Sequence, residues 1–200
     1  MHQIENLNQL LFLQWNATDG TPQAMISIAI FIADALIFLL PLLLLAFWLW
    51  GGADRRRLAL QSVLVCLLAL GLGQLVTLLW QHPRPFMIGV GHTWTMHAAD
   101  ASFPSDHGTV FASIALCFLI AGESLWGCLL AITGVAVACS RIFLGVHFPF
   151  DMVGAVLVAL LAYALMMPLW AKWGITVMAV AERFYHLVLA WPIARGWVRR

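Results

Sequence analysis

Charge is scarce in this sequence. Of its 200 residues only 10% are charged, against 63% apolar, and the mean hydropathy is +0.94. A soluble domain carries about 25% charged residues. The deficit leaves too little polar surface to coat a water-soluble globule, so a multi-span membrane protein is expected. The formal net charge of +1 does not point to nucleic acid. Basic runs are confined to Arg55-Arg56-Arg57 and the C-terminal tail, which reads as membrane topology. Paired cysteines are also missing. Cys66, Cys117, Cys128 and Cys139 stand singly in apolar stretches, and no CxxC supplies zinc or redox spacing. They read as small packing residues. The first twenty residues are too polar for a signal peptide. Internal repeats and low-complexity linkers are absent as well, so 1–200 reads as one membrane-embedded domain with its core at 24–170.

What the sequence does have is long apolar runs, at 24–50, 58–80, 105–121, 125–141 and 151–170. A span needs about 20 residues. The expected fold is therefore all-α, a polytopic bundle of five transmembrane helices. Ile4, Leu7, Leu10 and Leu11 recur at helical spacing among polar residues, which predicts a surface helix before the first span. Residues 172–198 mix charges with apolar residues and read as a second interfacial helix, with a sixth span as the alternative. Arg55, Arg56 and Arg57 lie between spans one and two, and Lys172, Arg183, Arg195, Arg199 and Arg200 follow span five. With five spans both sets share one side, the cytoplasmic one by the positive-inside rule. The loop 81–104 and the turn 142–150 then face outward together. Asp34, about ten residues into span one, is expected to face the bundle interior or a polar pocket and to find a polar neighbour on another span such as Gln74, because a lone carboxylate in hydrocarbon is costly.

Three polar clusters fall at those outer ends. In His82-Pro83-Arg84-Pro85-Phe86 two prolines fix the backbone around Arg84, whose planar fork suits phosphate oxygens. Ser102-Phe103-Pro104-Ser105-Asp106-His107-Gly108 opens span three, and a helix start offers free N–H groups and a positive dipole end to an anion. Capping accounts for Ser105 or Asp106, but not for His107 inside an apolar helix. The third runs from Ser140-Arg141 to His147 and Asp151. Asp151 follows His147 by four residues, close enough to take a hydrogen bond from its ring and leave the other nitrogen free to attack. Histidine is the side chain suited to nucleophilic or proton-transfer work near neutral pH.

Together these clusters resemble the type-2 phosphatidic acid phosphatase family. That family's pattern is a lysine, six residues, Arg-Pro; then Pro-Ser-Gly-His; then Ser-Arg, five residues, His, three residues, Asp. Here the third part is complete in Ser140-Arg141, His147 and Asp151. The second has Asp106 for glycine, and the first keeps Arg84-Pro85 with Thr77 at the lysine position. The tract from His97 to His107 and the Pro83–Phe86 tract look like the undecaprenyl pyrophosphate phosphatase branch. The resemblance implies hydrolysis of a polyprenyl diphosphate at the extracytoplasmic face of a bacterial inner membrane, serving lipid-carrier recycling, peptidoglycan synthesis and bacitracin resistance. It implies His147 as nucleophile, Asp151 as its orienter and His107 as acid. Arg84, Ser105, Asp106, Gly108 and Arg141 would hold phosphate, and His97, Asp100 and Ser140 would belong to a substrate loop. No metal and no other cofactor is implied. The expected partners are the lipid substrate and the bilayer. Phosphatidylglycerol phosphate or phosphatidic acid is the alternative substrate.

Overall fold

A computed structural model describes residues 2–200. Its elements are α1 (His2–Trp15), α2 (Gln23–Ala35), α3 (Leu39–Trp50), α4 (Ala53–Leu79), α5 (Asp106–Ile120), α6 (Ser124–Phe143), α7 (Pro149–Val188) and α8 (Ala190–Ala194). Short 3₁₀ turns join α2 to α3 and follow Arg84. No strand occurs among the described residues. Four helical stretches are long and apolar enough to cross a membrane: Gln23–Trp50, Ala53–Leu79, Ser124–Phe143 and Pro149–Val188. α5 is shorter, at 15 residues, or about 22 Å of helix. It is packed between α4, α6 and α7, so its inner neighbours rather than lipid cover most of it.

The core lies along these four helices. Val65 and Ala69 of α4, Phe111, Ile114 and Phe118 of α5, Val137 of α6 and Val158 and Ala162 of α7 are buried against one another. Lipid tails are as apolar as leucine, so close packing rather than water exclusion holds such a bundle. Gly154 shows how close the approach is: a methyl group there would run into the Phe103 ring.

Each helix end has a local cause. α4 stops at Trp80, just ahead of His82-Pro83-Arg84-Pro85, where proline forbids further helix. The Ser105 hydroxyl accepts from the Gly108 N–H at 3.3 Å and starts α5. Pro149 occupies the first turn of α7, and the Asp151 carboxylate accepts from the Phe148 N–H at 2.8 Å. At the opposite end Arg55 pairs with Glu123 at 2.9 Å. The motif clusters and the basic turn thus sit at opposite ends of the bundle.

Two expectations are corrected here. Residues 172–188 do not form a separate helix: α7 runs unbroken through Pro168 to Val188, and the short α8 follows. Trp170 lies against Arg57 and Tyr185 against Arg56. Fifteen residues, about 22 Å of helix, therefore stay at the same end of α4. This half of α7 runs across that end instead of away from it. The tail then folds back: Arg56 donates to the Trp48 carbonyl at 2.9 Å and to the Arg199 carbonyl at 2.5 Å, and Tyr185 also donates to Arg199. The second correction concerns only the partner of Asp34: it finds a polar neighbour on another helix as expected, but that neighbour is Arg141 at 3.4 Å rather than Gln74, and its side chain is 56% exposed. Ile26, Ala29 and Ala33 of α2 all pack on the turn holding Leu144 and Val146. α2 thus crosses the motif-bearing end, and residue counting overstates the depth of Asp34.

Candidate functional site

His147 lies in the turn between α6 and α7 and is 2% exposed. Gly145 makes that turn possible: its φ is +82°, and any side chain would strike the His92 carbonyl. Below the ring, Nδ1 lies 3.1 Å from Asp151 Oδ2. The Ser102 hydroxyl donates to the same carboxylate oxygen and stands 3.3 Å from Nδ1. Asp151 is fully buried. Nδ1 is therefore the protonated nitrogen, and Nε2 carries the lone pair. Burial, only partly offset by Asp151, pulls His147 down to about 4, with Arg84 and Arg141 acting in the same direction as burial. The ring is neutral at neutral pH.

Arg84 faces Nε2. Its NH1 lies 3.1 Å from that nitrogen and donates to the Val146 carbonyl at 3.1 Å, and its NH2 donates to the Ala101 carbonyl at 3.3 Å. Its Nε donates to Asp100 at 2.8 Å. Burial raises the Asp100 carboxyl, but the hydrogen bond and charge of Arg84 outweigh it and hold the group below its usual value. Arg141, on the last turn of α6, reaches Asp34 with NH1 and His97 Nε2 with NH2, the latter at 3.1 Å. Its Nε is buried without a partner. His107, on the first turn of α5, is half-buried within reach of the charges of Arg84 and Arg141 and of the rings of His97 and His147.

Arg84, His97, Asp100, Ser105, Asp106, His107, Gly108, Arg141, His147 and Asp151 thus converge at one end of the bundle. Two of them have local duties. The Gly108 N–H is engaged by Ser105, and a Cβ there would come within 2.9 Å of Ala155, so this glycine lets α5 meet α7. Asp106 accepts a long 3.5 Å contact from Gln74. Ser140 is not brought to the cluster. It is buried on the α2-facing side of α6, beside Ile28, Ala29 and Phe143, because one helical residue turns the side chain by about 100° from Arg141. Thr77 does not point to the cluster either: its hydroxyl donates to the Phe103 carbonyl at 3.2 Å. His82 and His92 are taken elsewhere, by Glu5 and Asp19.

Ser102 is the residue that sequence reasoning missed. It stands in the quoted tract, but a lone serine 45 residues from His147 carries no local signal. The N-terminal helix contributes more than a membrane contact. Asn16 donates to the carbonyls of His92 and Phe143, at 2.9 and 3.1 Å, and accepts from the His92 N–H. Asn8 accepts from the Phe150 N–H, and Phe12 packs edge-on against Phe148. Meanwhile Ile4, Leu7, Leu10 and Leu13 stay exposed on the other face. α1 therefore clamps the turn that carries His147.

An apolar groove of about 300 Å³ leaves the cluster at Gly108 and Met152. It runs between α5, α6 and α7 past Ala112 and Ala138 to Leu119 near the far end of α5.

Comparison with known proteins agrees with this architecture. The PAP2 superfamily model matches residues 58–175. YbjG of Escherichia coli (strain K12), whose name carries undecaprenyl-diphosphatase as a provisional activity, is 41% identical over 197 residues, covering 98% of this chain and 99% of that protein. The undecaprenyl-diphosphatase BcrC of Bacillus subtilis (strain 168) is 38% identical over 135 residues, covering 68% of this chain and 69% of its own length. Among solved structures, Aquifex aeolicus LpxE superposes with a TM-score of 0.66 at 23% identity, over 81% of this chain and 95% of that one.

Proposed function

Because this multi-pass membrane chain belongs to the PAP2 superfamily, we propose that it hydrolyses undecaprenyl diphosphate to undecaprenyl phosphate and inorganic phosphate. The observation that carries the reading is the His147 environment. A neutral imidazole is oriented by a buried carboxylate, with its free nitrogen facing Arg84, beside the mouth of an apolar groove. The names of the relatives supply the lipid class.

In the proposed reaction His147 Nε2 attacks the terminal phosphorus. The bond from that phosphorus to the bridging oxygen breaks, and undecaprenyl phosphate departs with the proton that His107 delivers. Arg84, Arg141 and the N–H groups opening α5 stabilise the charge on the equatorial oxygens. Asp151, held in turn by Ser102, stabilises the imidazolium character that develops as the P–N bond forms. Water, deprotonated by His107, then displaces phosphate from His147 and restores both histidines. The groove would hold part of the isoprenoid chain while the headgroup reaches the cluster. The site would face outward at the bacterial inner membrane, since Arg55, Arg56, Arg57 and the tail cluster at the opposite end. There it would recycle the cell-wall lipid carrier and deplete the diphosphate form, a route to bacitracin resistance.

The test is phosphate release by the purified protein from undecaprenyl diphosphate, phosphatidic acid and phosphatidylglycerol phosphate in parallel. Preference for the diphosphate is expected, together with an acid-labile phosphorylated intermediate and its loss in His147→Ala. Equal or better turnover of either phosphomonoester lipid would overturn the substrate assignment. Turnover by the alanine variant would overturn the nucleophile.

A further inference from the structure

The cationic side of the site is incomplete as a phosphate cradle. Arg84 commits its Nε to Asp100 and one NH2 donor to Ala101. Arg141 holds Asp34 and His97 and leaves its buried Nε unpartnered. Thr77 faces the Phe103 carbonyl. The side chain that meets the NH2 end of the Arg141 fork is His97, from the loop between α4 and α5. Its Nε2 is 3.1 Å from Arg141 NH2, its Nδ1 is 3.2 Å from the Ala98 carbonyl, and its ring centre is 6.3 Å from that of His147.

We propose that His97 is a phosphate-binding residue that becomes cationic when substrate arrives, completing with Arg141 the cationic edge of the site. In this arrangement the ring must accept from Arg141 NH2, because a guanidinium only donates. Nε2 then carries no proton, and Nδ1–H points to the Ala98 carbonyl. An anion that takes the Arg141 donors, including the free Nε, removes that constraint. It also brings negative charge to a ring now held neutral. His97 takes up one proton from solvent, at Nε2, and donates it as a charge-assisted hydrogen bond to a phosphoryl oxygen.

The groups facing His97 fit this switch. Arg84, from the segment after α4, and Arg141 of α6 disfavour a cation, the neutral His147 ring lies 6.3 Å away, centre to centre, and Asp106 at the start of α5 is within range of the His97 charge. Asp100, 3.8 Å from Nδ1 on the same loop, favours one. Asp34 of α2 is bound to Arg141 and His107 lies at the start of α5. Burial acts most strongly; the Ala98 hydrogen bond opposes it, but with the two arginines burial holds His97 below its ordinary value. Proton uptake is thus tied to anion binding. The anion raises the pKa, so binding strengthens as pH falls through the range where the free ring would otherwise be neutral.

The proposal rests on the phosphatase reading but is tested without a lipid. Tungstate is a tetrahedral dianion that does not itself titrate near neutrality. Its binding to the detergent-solubilised protein is measured by calorimetry from about pH 6 to pH 8, in buffers of different ionisation enthalpy that count the protons taken up. The wild type should bind tighter as pH falls, with about one more proton taken up than His97→Ala. That variant should lose about tenfold in affinity at the acid end, as expected for a hydrogen bond to a charged group. His97→Lys should restore affinity with little pH dependence. Unchanged affinity and proton count in His97→Ala would overturn the assignment, as would a uniform loss that lysine does not repair, which marks a structural role. Failure of the wild type to bind tungstate at all would remove the phosphatase reading itself.

Discussion

At the residue scale the site turns on one carboxylate. Asp151 Oδ2 takes the Phe148 N–H, the His147 ring and the Ser102 hydroxyl, so it caps α7 and fixes the tautomer with the same atom. Asp151→Asn offers an N–H or a carbonyl to His147 but no charge, and should lower kcat by 10²-fold or more, about what loss of an orienting carboxylate costs. Ser102→Ala leaves the carboxylate and should cost less, roughly tenfold, the value of one hydrogen bond to a charged group. A Ser102→Ala loss as large as that of Asp151→Asn would make the hydroxyl more than a support. Neutral His147 also has a stability consequence. The unfolded ring takes a proton near its usual 6.5 and the folded one only at about 4. Below 6.5 the unfolded state therefore binds more protons, and stability falls as pH drops from about 6.5 toward 4. Thermal melts in detergent should show that acid loss, and His147→Gln should lessen it. An identical acid slope in the glutamine variant would assign the effect to other groups.

At the element scale the helices act by where they end. α4 and α5 each bring one motif, and α6 and α7 together the third, to the same end of the bundle, and α1 with the residue after it clamps the turn between α6 and α7 through Asn8, Phe12 and Asn16. The groove between α5, α6 and α7 is an element-scale feature too, since its wall is Gly108, Ala112 and Ala138 facing bulkier residues on neighbouring helices. Small residues there keep the helices from closing on themselves. Ala112→Phe should fill part of the groove, raising KM for the long-chain diphosphate several-fold while leaving hydrolysis of a soluble aryl phosphate near the wild-type rate. Equal effects on both substrates would mean that the groove holds no substrate chain. Gly134 is the wrong place for this test, because even a methyl group there would meet Phe111 at 2.8 Å.

At the scale of the whole molecule the question is which side the site faces. Arg55 with Glu123, and Arg56 with the C-terminal tail, gather at one end and the histidines at the other. A cysteine in the loop 81–104 should therefore react with a membrane-impermeant thiol reagent added to intact cells. Gly91 would be a poor probe position, since its φ is +70° and Asn16 and Phe12 lie directly beneath it. Met96 is 99% exposed and takes the substitution freely. In a Cys128→Ala background, Met96→Cys should label before lysis, after permeabilisation of any outer membrane. Labelling only after lysis would reverse the orientation.

Composition and apolar run length determined the membrane class, the helical bundle and the approximate spans, because hydrocarbon demands internally satisfied backbone wherever the chain crosses it. Spacing within one motif determined the His147–Asp151 contact, since four residues across a helix start leave little freedom. Contacts between distant segments were a matter for the tertiary structure alone. Ser102 under His147, His97 on Arg141, Asp34 at the motif end and α1 over the turn each join residues 44 to 142 positions apart. Nothing local encodes such meetings. They follow from the crossing of α2 over α6 and from the path of the loop between α4 and α5. The course of residues 172–198 was of the same kind: its mixed charges allow a separate surface helix, and only packing of Trp170 and Tyr185 on the arginines of α4 makes it the far half of α7.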